Sequence, residues 1–229
     1  MQSSPPWPAR ASRLRRDDLG LLFAELRAAG YAVFGPTLRD GAIVYAPLED
    51  EAQLPHGWTD EQGPGRYRLR RRDDEAAFGY AVGPHSWKQL LHPPEQRVWR
   101  AERGEDGRLE FVPGELEAPP RAFVGVRACE LAAIRIQDRV LQEGAFRDAG
   151  YAARREAAFL VAVDCGSPAA TCFCTSTDSG PGVEAGYDLA LTEVCADDAH
   201  YFLLDAGSAR GRAVLEGLPL EPASEAEQA

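Results

Sequence analysis

Several ordinary ingredients are scarce in this chain of 229 residues, which has one methionine, five cysteines and a single lysine among 25 basic residues. No stretch approaches the run of about 20 apolar residues that a membrane helix requires, so membrane insertion is not expected. The opening MQSSPPWPARASRLRR carries positive charge without the apolar segment of a secretory signal. Neither GxGxxG nor GK[ST] occurs, so nucleotide binding has no positive sign. Paired C-x₂₋₄-C knuckles and a C-x₂-C-x₂-C run are missing too, which removes the commonest zinc and ferredoxin spacings. Basic charge is also short: 25 Lys and Arg face 36 Asp and Glu, a formal charge of −11. Nucleic-acid binding rests on neutralising phosphates, so that class is excluded. The expected location is cytoplasmic, where thiols stay reduced, and an odd number of cysteines fits poorly with a paired disulfide framework.

With 45% hydrophobic residues the chain can build a core without covalent staples. Residues 1–15 and the acidic tail 217–229 read as disordered. Between them the texture changes near residue 120. Over 16–120, Asp17 or Asp18 can cap a helix with Leu19, Leu22, Phe23 and Leu26 on one face, stopped by Gly30. YAVFGP and GAIVYAP flank a TLRDG turn, and RYRLR, FGYAV, RVWRAE and RLEFVP read as further strands. The run Arg66, Arg68, Arg70, Arg71 and Arg72 reads as a solvated strand face with its own counter-charges. PHSWKQLLHPP, with Lys88, is a short helix or turn bracketed by prolines. This part is expected to be a mainly antiparallel α+β lobe.

Residues 121–216 read differently. RAFVGVR and AAFLVAV are apolar runs without alternation, as in strands buried on both faces. ACELAAIRIQDRVLQEG lies between them as a helix, with Leu131, Ile134, Val140 and Leu141 turned to the core and Gly144 as its stop. YDLALTEV and HYFLLDAG follow as strands and SARGRAVLEG as a last helix. The fold class is α/β, with a βαβ unit whose parallel strands end on one sheet edge. Open α/β sheets build their sites there.

That edge gathers the thiols. Cys129 follows the first buried strand, Cys165 follows the second, and Cys172 and Cys174 lie on the Gly/Ser/Thr-rich loop VDCGSPAATCFCTS. A helix N-terminus is expected to lower the Cys129 thiol pKa, and Arg127 places positive charge nearby. Alternate residues of an extended segment point the same way, so C-x-C can present two sulfurs to one object. The residues leave open a four-cysteine metal site, a redox thiol group, or plain buried cysteines. Cys195 reads as structural, and His56, His85, His92 and His200 show no ligand spacing.

GVRACELAAI (125–134), RRE (154–156), DCGSPAATCFCTSTDSGP (164–181) and GYDLALTE (186–193) together resemble one family of iron–sulfur proteins. These are the beta subunits of cytosolic nickel–iron sulfhydrogenases and the A subunits of anaerobic sulfite reductases. SWKQLLHPPEQ is similar to a further segment of the family, with Lys88 at its lysine. The resemblance implies a [4Fe–4S] cluster on Cys129, Cys165, Cys172 and Cys174, with Arg127 and Lys88 in supporting or partner-facing roles. It implies a non-catalytic electron-transfer component of an oxidoreductase complex. Its partners would be a flavin-containing NAD(P)H-linked subunit and a hydrogenase or reductase catalytic subunit. The family's ferredoxin-like half has no counterpart in these residues, which leaves one cluster as this chain's share. The alternative is a structural zinc-binding or metal-free docking domain without redox activity.

Overall fold

The computed structural model describes residues 12–83, 85–196, 199–224 and 227. Near the start, β1 (Ser12–Arg15) leads through a short 3₁₀ turn into α1 (Leu19–Ala28), then into the hairpin β2 (Ala32–Arg39) and β3 (Ala42–Pro47). The hairpins β4 (Trp58–Gly63) with β5 (Arg66–Arg71), and β6 (Trp99–Arg103) with β7 (Leu109–Pro113), stand on either side of α2 (Lys88–Leu91). Next come β8 (Arg121–Val126), α3 (Ala128–Gln142), α4 (Ala149–Ala157) and β9 (Ala158–Val163). The order closes with β10 (Leu189–Ala196), β11 (Ala199–Ala206), α5 (Ala209–Glu216) and β12 (Glu221–Pro222).

Eight strands form one mixed sheet in the order β12-β1-β11-β10-β9-β8-β2-β3. Its centre is parallel: β2 pairs with β8, β8 with β9, and β9 with β10. Antiparallel strands complete both edges. The β9 residues Phe159, Val161 and Val163 belong to one apolar cluster, shared with Leu22, Phe23 and Leu26 of α1 and Val214 of α5. Ala158, Leu160 and Ala162 belong to the other, shared with Leu131 and Ile134 of α3, Tyr151 of α4 and Trp87 beside α2. Because side chains alternate across a strand, covering both faces with helices requires an unbroken apolar run, and AFLVAV supplies it.

Several expectations meet their elements directly. Leu19, Leu22, Phe23 and Leu26 are all buried on α1. The expected 2–3 and 6–7 hairpins form, and Leu131 and Ile134 are buried. Other expectations need correction. Residues 12–15, placed in a disordered N-terminus, are a strand of the sheet, while 1–11 lie outside the described residues. In the tail 217–229, Leu218 and Ala223 are buried, β12 pairs with β1, and Glu227 meets Arg13 at 3.2 Å. Across the 120/121 boundary, β2 of the first segment and β8 of the second are neighbours in one sheet. Val140 is 66% exposed, because the stripe that reaches the core is centred on Leu131 and Ile134. Asp18 stands at the N-cap of α1 without a side-chain cap. Among the described residues no helix is long and apolar enough to cross a membrane.

A true cap begins α4, where the Asp148 carboxylate accepts from Tyr151 N at 2.8 Å. Asp148→Ala is expected to lower unfolding free energy by about 1 kcal/mol in a urea titration.

Candidate metal centre

FGYAV, expected as a strand, instead forms an irregular strap. Residues 76–81 are all buried yet belong to no ladder. Buried backbone groups need partners, and distant charged side chains supply them. The Glu193 carboxylate accepts from Ala77 N at 2.7 Å and Phe78 N at 2.8 Å, and His200 Nε2 lies 2.9 Å from it. Asp60 accepts from Ala81 N at 2.8 Å. Arg127, 1% exposed, donates to Phe78 O at 2.6 Å and Tyr80 O at 3.2 Å. Arg72 donates to Gly79 O at 3.1 Å while its fork grips Asp74 at 2.5 and 2.6 Å. Arg72 therefore leaves the solvated face on which the arginine run had been placed. Removing the Glu193 carboxylate strands two amides, so Glu193→Ala is expected to cost about 2 kcal/mol. Amide exchange at Ala77 and Phe78 should accelerate with it.

The strap also holds the cysteine loop. A second Arg127 nitrogen donates to Asp164 O at 2.8 Å, the carbonyl just before Cys165. Arg72 reaches Ser167 Oγ at 3.4 Å, two residues after it. A bulge aims Arg127 inward: β8 shifts register between Val124 and Val126, where Gly125 has φ +84°. A Cβ there would lie 3.3 Å from Phe78, Pro36 and Tyr80, so only glycine admits the strap so close.

Asp164 fixes the other side of the loop. Its carboxylate, 6% exposed, accepts from Val183 N at 2.6 Å and Thr192 Oγ1 at 2.5 Å. Cys165 N donates to Pro181 O at 3.1 Å, closing the base of the loop. Cys174 begins a 3₁₀ turn (Cys174–Thr177) whose first carbonyl accepts from Ser179 N at 2.9 Å. Gly180, at φ +153°, lies where an added Cβ would stand 3.3 Å from Ala128 Cβ and 3.5 Å from Cys174 Sγ. The loop thus folds down onto the first turn of α3, beside Cys129.

All five cysteines are free. Cys129 and Cys172 are exposed, whereas Cys165 and Cys174 are half-buried. The Cys129 thiol is pushed up to about 11 by desolvation first, then by the Glu130 carboxylate, then by the thiols of Cys174, Cys165 and Cys172. This reverses the lowering expected from the helix N-terminus. Glu130, whose own carboxylate caps Arg127 N at 2.9 Å, is the neighbour that the dipole argument left out. The same interactions place the thiols of Cys165, Cys172 and Cys174 each within electrostatic reach of Cys129. The Cys172 sulfur accepts an N–H from Ala169 at 3.3 Å. Cys195, on β10 opposite His200, stands apart.

Among the described residues, no three His, Cys, Asp or Glu side chains are grouped to hold one metal ion. A single tetrahedral zinc would need sulfurs about 3.8 Å apart, given Zn–S bonds near 2.3 Å. A four-iron cube holds its cysteine sulfurs further apart than that. Four thiols, one already receiving an N–H bond, fit a cube's donor chemistry.

Arg127 is enclosed by the strap rather than facing a partner, and Lys88 lies exposed on α2 without an ion pair among the described residues. Asp188, in the GYDL stretch, is structural: it accepts from Leu160 N at 2.9 Å and Ser208 Oγ at 2.6 Å. Sequence reasoning passed over Asp164 and Glu193, and read Arg72 only as part of a solvated strand face. The available signal for the first two was a carboxylate next to an apolar strand run. Comparison with family models, with curated protein sequences and with solved structures finds no match.

Proposed function

We propose that Cys129, Cys165, Cys172 and Cys174 hold a [4Fe–4S] cluster, and that the protein is an electron-transfer subunit of a multi-subunit oxidoreductase of the sulfhydrogenase or anaerobic sulfite reductase type. The observation that carries this reading is that Cys129, on the first turn of α3, has the thiols of Cys165, Cys172 and Cys174 from the facing loop within electrostatic reach. When bound, such a cluster accepts and returns one electron at a time. The chain's own residues do the holding. Arg127 and Asp164 fix the peptides around Cys165, Gly180 lets the Cys174 turn settle on α3, and Ala169 N–H stabilises charge on the Cys172 sulfur. Residues 121–216 carry every ligand, and the mainly antiparallel segment 16–120 contributes the strap that braces them.

In this reading the chain relays electrons between a flavin-containing NAD(P)H-linked subunit and a hydrogenase or reductase catalytic subunit, and works in the cytoplasm. The exposed Phe173 (71%), between two ligands, and Lys88 suit contact with such partners. Anaerobically purified protein should be brown, bleach on dithionite addition and develop a half-integer-spin EPR signal. A colourless protein holding one zinc, unaffected by dithionite, would replace this reading with the structural one.

A further inference from the structure

The opposite end of the parallel strands carries a second feature, independent of the cysteines. Arg121 opens β8, and Arg154 lies in the last turn of α4, 8% exposed. Both line an open groove of about 660 Å³ between α2 and the β6–β7 hairpin. Arg154 donates through Nε to Leu91 O at 2.8 Å and through Nη2 to Gln96 Oε1 at 3.1 Å. Arg121 donates through Nη1 to Leu90 O at 3.3 Å. Among the described residues, Nη1 of Arg154 and Nη2 of Arg121 have no hydrogen-bond partner, and neither guanidinium forms an ion pair. Burial pushes the Arg121 pKa down and the Arg154 charge pushes it further, while the Glu117 carboxylate offsets part of this.

Arg154, buried, and Arg121, half-buried, carry like charges that act on each other, and a chain of charge −11 has carboxylates to spare for neutralising them. The carboxylates that line the groove, Glu95, Glu115 and Glu117, are exposed and stay beyond ion-pair distance of both. The unpartnered Nη1 of Arg154 and Nη2 of Arg121 can each donate a charge-assisted N–H bond to an oxygen of one phosphoryl group. The groove is far larger than a bare oxyanion, lies within the usual range for small-molecule sites, and has Leu90 and Val112 in its walls.

We propose that Arg121 and Arg154 bind the phosphoryl group of a phosphorylated small molecule in this groove. Inorganic phosphate, ADP and adenosine serve as probes in thermal-shift and calorimetric titrations of the full chain, with chloride at matched ionic strength as the reference. Phosphate and ADP should raise Tm saturably and adenosine should not. Tighter binding of ADP than of phosphate assigns the ligand as a larger phosphorylated molecule. Equal binding assigns it as the free ion at the same pair of arginines. Arg121→Gln should weaken binding about tenfold or more, read against that variant's own unliganded Tm. Arg121→Lys should recover part of that loss. No stabilisation beyond the chloride reference overturns the proposal, as does equal affinity of wild type and Arg121→Gln.

Discussion

Replacing Arg127 by methionine should lower unfolding free energy by about 2–4 kcal/mol, among the largest effects of any single change at this site. The guanidinium serves three main-chain carbonyls, those of Phe78, Tyr80 and Asp164, in a place that water does not reach. Each charge-assisted bond contributes about 1.5–3 kcal/mol, and each carbonyl left alone carries a desolvation penalty. Against that stands the cost of burying the cation, which methionine removes. Part of that cost persists in the native protein, because Arg127 Nε has no hydrogen-bond partner among the described residues. The Tyr80 ring, 5.1 Å from the guanidinium carbon, recovers some of it. The balance still favours arginine, since three carbonyls cannot be satisfied by a thioether. Lysine should be intermediate, because one ammonium cannot span carbonyls on both the strap and the loop. Urea titration of the apo-protein measures the difference. A change within about 0.5 kcal/mol would mean that the strap is held by Glu193, Asp60 and Arg72 alone.

Replacing Cys129 by serine should reduce retained iron to less than about a tenth of the wild-type content, while the apo-fold stays intact. The residue is exposed although its sulfur is partly desolvated, and it makes no side-chain hydrogen bond among the described residues, so a serine of similar size removes little packing. What it removes is the only donor contributed by α3. The other three sulfurs all belong to one loop, and three donors leave one corner of a cube open to water and oxygen. Cys195→Ser is the matched control and should keep its iron, because Cys195 stands on β10 away from the four. Equal loss in both variants would point to general thiol chemistry rather than to one site.

Both expectations rest on geometry that was legible in the sequence to different depths. The parallel pair is written in AFLVAV and RAFVGV, whose unbroken apolar runs have no other economical use than a doubly covered strand. Once β8 and β9 are parallel, Cys129 and Cys165 must fall on one edge, and they do. The strap was illegible for a physical reason. AAFGYA is as buried and as apolar as a strand, and what denies it a ladder is Glu193 and Arg127, 116 and 49 residues away. Val140 was misplaced because helical periodicity identifies a stripe but not which of two adjacent stripes meets the sheet. The upward shift of Cys129 was missed since a dipole argument counts the helix end and not the acid next in sequence, Glu130. β1 and β12, short and polar, owe their existence to the free edge of β11 and to each other. No local pattern announces such strands.

The most direct test of the central claim is the count of iron and acid-labile sulfide per chain in protein purified without oxygen. The account predicts about four of each in the wild type, falling together in Cys129→Ser and unchanged in Cys195→Ser. A wild-type protein without iron and sulfide after anaerobic purification and reconstitution, or one whose iron is indifferent to Cys129, would contradict it.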